Sequence, residues 1–466
     1  MSEIRPPAGG TEPSAVAQLS GGRLHAWVRT MVDVRPEEMR AMLMSFAYFF
    51  FVLSGWFVLR PLREAVAVAT GVNKLPFLFA GTITAVLIAN PLFSALVVRL
   101  PVRKFIPITY HFFVANILVF YALMTFISPE EGSRGDIWIG RAFFVWTSVF
   151  NLFVVSIFWA FMADSFKSEQ AKRLFGFIGV GGTLGSVLGS ATTAQLAPVI
   201  GTPNLLLLSA GLIELAVICV MAFPRRAASA SAGGAAATSA APAAADEGAH
   251  DTAGRDELPI GGSLWAGFTH VAKSPYLGGI SVFLVLLTVG NTVLYFEQAD
   301  IVGKAFADRA ARTAVMARIE LVVQSLTLIT QIFLTGRLIR WLGVARALAF
   351  LPLVTLIGFG ALGTWPVFLV VASLAVARRA GNFALNNPAM EILFTVVPRE
   401  DKYKAKNFIE TFVYRAGDQI AAWGYAGLTA LGLGMSAIAY TVVPIAAVWL
   451  MLGVWLGREH GRLASK

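Results

Sequence analysis

Three ionisable side chains interrupt the otherwise uncharged stretch 41–70: Arg60, Arg63 and Glu64, within Phe57-Val58-Leu59-Arg60-Pro61-Leu62-Arg63-Glu64-Ala65-Val66. A helix needs about 20 apolar residues to cross a bilayer, and residues 41–59 nearly supply them before the charges arrive. Ionisable groups at membrane depth are costly unless they face protein or a watery cavity, so they mark substrate or ion paths. Arg60 and Glu64 are four apart, share a helix face and can pair, which leaves Arg63 less well paired. The planar donors of guanidinium suit phosphate or carboxylate. If the helix continues past Leu59, Arg63 offers a fixed positive charge to an anion. If the span ends at Leu59, the same residues are interfacial and snorkel outward. Pro61 removes a backbone donor and can kink the helix. Spacing alone leaves both readings open.

Two further clusters carry charge within apolar sequence. Glu320, Gln324, Thr327 and Gln331 fall within about 60° of one another on a helix, so one polar stripe should face the bundle interior. It either lines a cavity or hydrogen-bonds to a neighbouring helix. Arg318 lies on the opposite face, where it would snorkel. Further on, Lys406 and Glu410 are four apart, while Thr411, Arg415 and Asp418 share another face. Arg415 and Asp418 can pair at i,i+3, and Arg415 could also serve as a second anion contact.

Composition sets these residues in a membrane. The chain has 466 residues, 57% hydrophobic and 14% charged, with mean hydropathy +0.70. Soluble proteins carry about 25% charged residues. Apolar runs predict twelve transmembrane helices, near 41–62, 75–98, 105–127, 137–163, 174–197, 203–223, 276–297, 313–335, 344–363, 365–386, 406–431 and 435–457. The expected organisation is a polar N-tail (1–38), a six-helix bundle (39–223), an Ala/Gly/Ser-rich linker (224–275), a second six-helix bundle (276–457) and a C-tail (458–466). The fold class is an all-α membrane protein with a 6+6 layout. Asn387-Pro388 is expected to break the tenth span at its inner end. With the N-terminus inside, most of the 37 Lys and Arg residues fall on the inner side, the basic segment 378–406 among them, as the positive-inside rule requires. The net charge of +10 then reflects topology and anionic lipid rather than nucleic acid. Both termini are expected in the cytoplasm and the protein in the inner (plasma) membrane.

The halves repeat weakly. Arg99-Leu100-Pro101-Val102-Arg103 resembles Arg337-Leu338-Ile339-Arg340, and Ser168-Glu169-Gln170-Ala171-Lys172 resembles Lys402-Tyr403-Lys404-Ala405-Lys406. Repeated six-helix halves are the layout of major facilitator transporters, with sites between the halves near midplane.

Several chemistries find no residues. One cysteine, Cys219, allows no intrachain disulfide, and the five histidines (His25, His111, His250, His270, His460) lack metal-ligand spacing. No cofactor, metal or catalytic constellation is expected. The glycines Gly176, Gly179, Gly181, Gly182, Gly185 and Gly189 lack the lysine of a phosphate loop and predict close helix packing. Glu214 and Glu297, with the asparagines of the spans, read as packing hydrogen bonds. A polar start leading into a full-length span does not resemble a cleavable signal peptide.

Leu59-Arg60-Pro61-Leu62-Arg63-Glu64-Ala65-Val66-Ala67-Val68-Ala69-Thr70 with Leu75-Pro76-Phe77-Leu78, then Phe158-Trp159-Ala160-Phe161-Met162-Ala163-Asp164 with Gln170-Ala171-Lys172-Arg173-Leu174-Phe175-Gly176, then Tyr403-Lys404-Ala405-Lys406-Asn407-Phe408-Ile409-Glu410, resemble in order the motifs of plastid and rickettsial-type ATP/ADP translocases. These are nucleotide transporters of major facilitator type, and the chain reads as a divergent bacterial relative. The resemblance implies alternating access with charges of both halves on the nucleotide phosphates. By position, the intramembrane lysine of the first motif falls on Arg63, the glutamate of the second on Gln170 (beside Glu169), and a basic position of the eleventh span on Arg415.

The expected function is secondary transport of an organic anion, with a nucleotide as leading candidate. Arg60, Arg63, Glu64, Glu320, Gln324 and Arg415 are the expected substrate-binding residues, and Lys172, Lys406, Glu410 and Asp418 the gating ones. Two alternatives stand beside it. One is a proton-coupled carrier of another solute, with the proton on Glu64, Glu320 or Glu410. The other is a non-transporting membrane assembly factor or sensor. Nothing in the sequence sets an oligomeric state.

Overall fold

A computed structural model describes residues 34–99, 102–127, 130–224, 271, 273–333, 335–397, 405, 406 and 408–465. Most of the N-tail and of the expected linker lies outside the described residues. The first six long helices are α1 (Met39–Thr70), α2 (Leu75–Arg99), α3 (Val102–Ala122), α4 (Arg134–Ser165), α5 (Ser168–Ile200) and α6 (Thr202–Met221). The second six are α7 (Pro275–Ala305), α8 (Arg309–Phe333), α9 (Thr335–Thr364), α10 (Phe368–Gly381), α11 (Tyr414–Ala430) and α12 (Met435–Ala464). Eleven helical segments are long and apolar enough to cross a membrane among the described residues. The twelfth is α11, preceded by the π turn Ile409–Val413. In lipid, a helix is the form in which a single segment satisfies its own backbone, and these apolar sequences take it. The chain is a multi-pass membrane protein with two six-helix halves. The end of the bundle where α1 begins and α12 finishes is here the tail end, and the opposite one the far end.

Turn chemistry sets the reversals. Gly201, with φ 78°, connects α5 to α6 as a single residue, a conformation that glycine adopts without a Cβ clash. At the other end of the α3–α4 loop, the Ser133 hydroxyl accepts the Asp136 amide (3.2 Å) and caps α4. Gly343 (φ 72°, ψ 164°) interrupts α9, so the span proper follows it, as the expected start at 344 requires.

α1 is the axis of the first half and packs most extensively on α5. The glycine row of α5 allows this. A Cβ on Gly181 would sit 2.6 Å from the Phe46 carbonyl oxygen, one on Gly189 2.5 Å from that of Ser54, and one on Gly185 closer still to that of Phe50. Ser54 donates to the Gly185 carbonyl at 3.0 Å across the contact. The glycines therefore pack helices, as expected. On its other side α1 meets an aromatic core. Phe49 stacks on Phe158 with centroids 4.0 Å apart, and the Tyr48 hydroxyl donates to Tyr110 (2.7 Å), which donates to the Val154 carbonyl (3.0 Å).

The structure corrects three expectations. First, α1 does not end near residue 62. It continues unbroken through Pro61 to Thr70, so Arg60, Arg63 and Glu64 lie within it. Second, Asn387-Pro388 does not break the tenth span. The π turn Asn382–Asn386 widens the helix just before Pro388, which then opens the short helix Asn387–Leu393, and the apolar segment runs from Phe368 to Val396. A π turn changes the hydrogen-bond register and so accommodates the donor that proline lacks. Third, Arg378 and Arg379 lie in the last turn of α10, from which the helical segment continues through the π turn, and not in a basic loop.

The α1–α5 contact gives a stability test. Gly185→Val forces a branched side chain against the Phe50 backbone and should cost about 1–3 kcal/mol, typical of overpacking. Gly179→Ala, with nothing within 4 Å of its Cβ, should be neutral or slightly stabilising. Thermal unfolding of the detergent-purified variants measures both.

Candidate functional site at the seam between the halves

The halves meet along α5 and α8, α1 and α8, and α2 and α11. Arg60 of α1 reaches across this seam to Glu320 of α8 (3.1 Å). Arg379 of α10 binds the same carboxylate oxygen, and Gln324 donates to it at 3.3 Å. Gln324 in turn accepts from Ser186 of α5 at 3.3 Å. Arg60 lies ten residues from the far end of α1, and Glu320 and Arg379 eleven residues from the far ends of α8 and α10. At about 1.5 Å per residue each is roughly 15–17 Å deep, the middle of a ~30 Å hydrocarbon core. Glu320 is 4% exposed. Two guanidiniums on one buried carboxylate leave the cluster net positive.

One turn further along α1, Arg63 contacts Glu64 at 3.5 Å, and its guanidinium lies 4.1 Å from the centre of the Phe144 ring. Arg63 also opens on a cavity of about 140 Å³ between the halves, lined by Arg63, Phe79, Thr82 and Ile83 of the first half and Arg415, Asp418 and Gln419 of the second. Its Nε and the Gln419 Nε2 are buried without hydrogen-bond partners. Such donors favour an incoming acceptor, because leaving them unpaired is costly.

The expected site residues thus divide. Arg63 and Arg415 come together on one cavity, with Asp418 beside them. Arg415 and Asp418 do not form an ion pair among the described residues, and Asp418 accepts from Thr292 instead (3.4 Å). Arg60 does not pair with Glu64, because Glu320 occupies it and Arg63 takes Glu64. Glu320, Gln324 and Thr327 are buried, and the first two form inter-helix bonds rather than the wall of an open cavity. The side chains of Lys172, Gln331 and Thr411 are outside the described residues. Arg318 is exposed, as expected of a snorkelling residue. Lys406 bridges Glu391 (2.5 Å) and Glu410 (3.9 Å) within the second half.

Several contributors were missed from sequence. Arg379 falls in the basic segment 378–406, although its position inside the expected span 365–386 is the signal that would place it in the membrane. Arg378, 1% exposed, contacts Thr355, Asn291 (2.8 Å) and the Leu287 carbonyl (3.4 Å). At the far end, Arg309 of α8 binds Asp136 of α4 and lies 3.9 Å from Glu131, which ties the halves. Around it an apolar seal mixes the halves: Ala67, Val68, Leu75, Leu78 and Phe144 pack with Leu294, Phe296 and Ile301.

At the tail end, Glu38 accepts from Gln170 (2.8 Å) and Arg173 (3.1 Å) of α5 and from the Arg35 amide (3.1 Å). Gln170 therefore donates to a carboxylate that a glutamate at this position would repel. Burial raises the Glu38 carboxyl, but the hydrogen bond from Gln170, that from the Arg35 amide and the Arg173 charge outweigh it and hold it below its ordinary value.

Two six-helix halves facing one another across a central seam have the 6+6 layout of the major facilitator fold. No family model matches the chain. In sequence it is similar to the ADP,ATP carrier protein 2 of Chlamydia pneumoniae, 24% identical over 220 residues that cover 41% of this chain and 40% of the carrier. The ADP,ATP carrier protein 2 of Chlamydia trachomatis is 28% identical over 220 residues, with the same coverage. The chain thus spans about two fifths of the length of the curated relatives it matches. Its fold is similar to a bacterial homologue of the human lysosomal transporter Spinster in an inward-facing and unoccupied conformation, with TM-score 0.53, 13% identity, and coverage of 93% of this chain and 98% of that one. The motif resemblance to ATP/ADP translocases is borne out as sequence similarity, and the twelve-helix 6+6 expectation as fold.

Two measurements test the site's electrostatics. Glu320→Gln leaves Arg60 and Arg379 buried without their carboxylate and should destabilise the protein by about 3–5 kcal/mol, read as a fall in the unfolding midpoint. Glu38 has its carboxyl lowered in the fold, so its contribution is present above the ordinary carboxylate value and is lost as pH falls through the folded one. The melting difference between wild type and Glu38→Ala should therefore be large near neutrality and shrink on acidification.

Proposed function

We propose that the protein is a secondary transporter of an organic anion, a nucleotide in ATP/ADP-type exchange, working by alternating access between two six-helix halves. The observation that carries this reading is the cavity on which Arg63 of one half and Arg415 of the other converge, at mid-seam, with unpartnered donors. Guanidinium groups bind phosphate oxygens through charge-assisted bonds that can be bidentate. The similarity to ADP,ATP carriers of two Chlamydia species supports a nucleotide as the source of those oxygens. A cavity of about 140 Å³ is smaller than the roughly 300–1,000 Å³ of ligand pockets. It accommodates a phosphate group, and the halves must part to admit the rest of a nucleotide.

In this reading residues 39–223 rock against 276–457, joined by 224–275. The tail end is cytoplasmic, in a bacterial plasma membrane, and the structure corresponds to a state closed at the far end by the Arg309 ion pairs and the apolar seal. Arg63 and Arg415 engage the anion. The Arg60–Glu320–Arg379 cluster joins the halves beside it and keeps the local field positive. Lys172, Lys406 and Glu410 act at the cytoplasmic gate.

The test is counter-exchange. Proteoliposomes loaded with ADP should take up labelled ATP, and Arg63→Ala should abolish uptake, while Arg318→Ala, on the exposed face of α8, should leave it intact. Wild-type protein that exchanges no nucleotide would sink the nucleotide assignment.

A further inference from the structure

The cavity between the halves is not purely cationic. Asp418 of α11, expected as a gating residue, stands in its wall beside Arg63 and Arg415. The Asp418 Oδ1 accepts from Thr292 at 3.4 Å, and no donor meets Oδ2 among the described residues. Thr82 of α2 is also in the wall. Its hydroxyl hydrogen already goes to the Leu78 carbonyl (2.9 Å), so towards a ligand its oxygen offers lone pairs alone.

The wall therefore holds two kinds of group. Donors are the Arg63 Nε and the Gln419 Nε2, both buried without hydrogen-bond partners, and the Arg415 guanidinium. Acceptors are the Asp418 carboxylate and the Thr82 oxygen. Each half supplies one guanidinium and one acceptor. Glu64 contacts Arg63 at 3.5 Å without lining the cavity, and already offsets part of the positive charge. A fully ionised oxyanion brings acceptors only. It pairs with the donors, but meets Asp418 with like charge and Thr82 with opposed lone pairs. An oxyanion that keeps one O–H satisfies both kinds of group. A carboxylate in an anion site weakens binding of every anion, and its effect is to discriminate against those with no hydrogen to donate. A volume of about 140 Å³ takes a phosphate group alone, so the O–H is the phosphate's own rather than a sugar hydroxyl.

We propose that Asp418 is a specificity residue of the anion site: it accepts a hydrogen bond from a phosphate group that retains one proton, and it excludes oxyanions that have none, such as sulfate. Thr82 is the second acceptor, from the opposite half. The phosphate group thus enters the cavity with its proton. The inference rests on the reading of this cavity as the anion site. It does not require that the phosphate belong to a nucleotide.

The test is equilibrium binding of radiolabelled inorganic phosphate and of radiolabelled sulfate to the detergent-purified protein. A slightly alkaline buffer is used, in which phosphate keeps one proton and sulfate none. Phosphate should bind about ten- to hundred-fold more tightly, the scale of one hydrogen bond to a charged group. Arg63→Ala should remove binding of both ions, which locates it in the cavity. Asp418→Asn should bring the two affinities together, with sulfate bound more tightly than by wild type. An Asp418 that only held Arg415 in place would, on substitution, weaken both ions alike and leave their ratio unchanged. The proposal is overturned by equal wild-type affinities, by no measurable binding of either ion, by binding that survives Arg63→Ala, or by an Asn variant with the wild-type preference. If the Asn variant does not fold, Asp418→Ala is read in the same way, and the wild-type preference decides without any variant. Nucleotide exchange is scored separately. A protein that prefers phosphate but exchanges no nucleotide keeps the inference and takes another phosphate compound. One that exchanges nucleotides but binds sulfate as tightly as phosphate loses it.

Discussion

The structure depends on one carboxylate, Glu320, which holds two guanidiniums at mid-depth of a bilayer. Arg60 comes from the first half and Arg379 from the second. An unpaired charge there is expensive, so any arrangement of the halves has to supply partners for all three groups. This makes the seam between the halves a set of discrete pairings rather than a smooth apolar face. Packing elsewhere follows from it. α5 must come close enough for Ser186 to reach Gln324, and its glycine row permits the close approach to α1 that keeps Arg60 at the seam.

Each charge within the seam has a different environment. The Arg60–Glu320–Arg379 cluster is saturated by its own members and their amide neighbour. Arg63 keeps an unpartnered Nε and an aromatic face, and with Arg415 it opens on a cavity. The Arg309–Asp136 pair closes the far end together with apolar contacts. Glu297, fully buried on α7, faces the Tyr425 hydroxyl of its own half. The cavity, the saturated ion cluster and the far-end contacts thus fall at successive depths along the same interface.

The two departures from the translocase motifs have local physical settings. Arginine at position 63 stacks on Phe144 while it keeps contact with Glu64, which the compact ammonium of lysine would do less well. Glutamine at position 170 donates to Glu38. There a second carboxylate would be repelled, and Arg173 already supplies the positive charge. Both changes keep the helices joined while they alter how charge is presented.

Sequence by itself determined the membrane class, the twelve spans and the two-half layout, because hydrocarbon thickness fixes helix length and lipid leaves the backbone few choices. It also located Arg63 and Arg415, since charges inside apolar runs are conspicuous, and the packing role of the α5 glycines. It did not determine partners. The i,i+4 rule pairs Arg60 with Glu64, but a residue 260 positions away takes Arg60 instead. Side-chain pairing across helices depends on how the helices are juxtaposed, which local spacing does not encode. Charge pattern likewise placed Arg378 and Arg379 with a basic loop, and proline placed a break at residue 388. Only the tertiary structure carried α10 through both, because a π turn precedes the proline and Glu320 waits for Arg379 on a neighbouring helix.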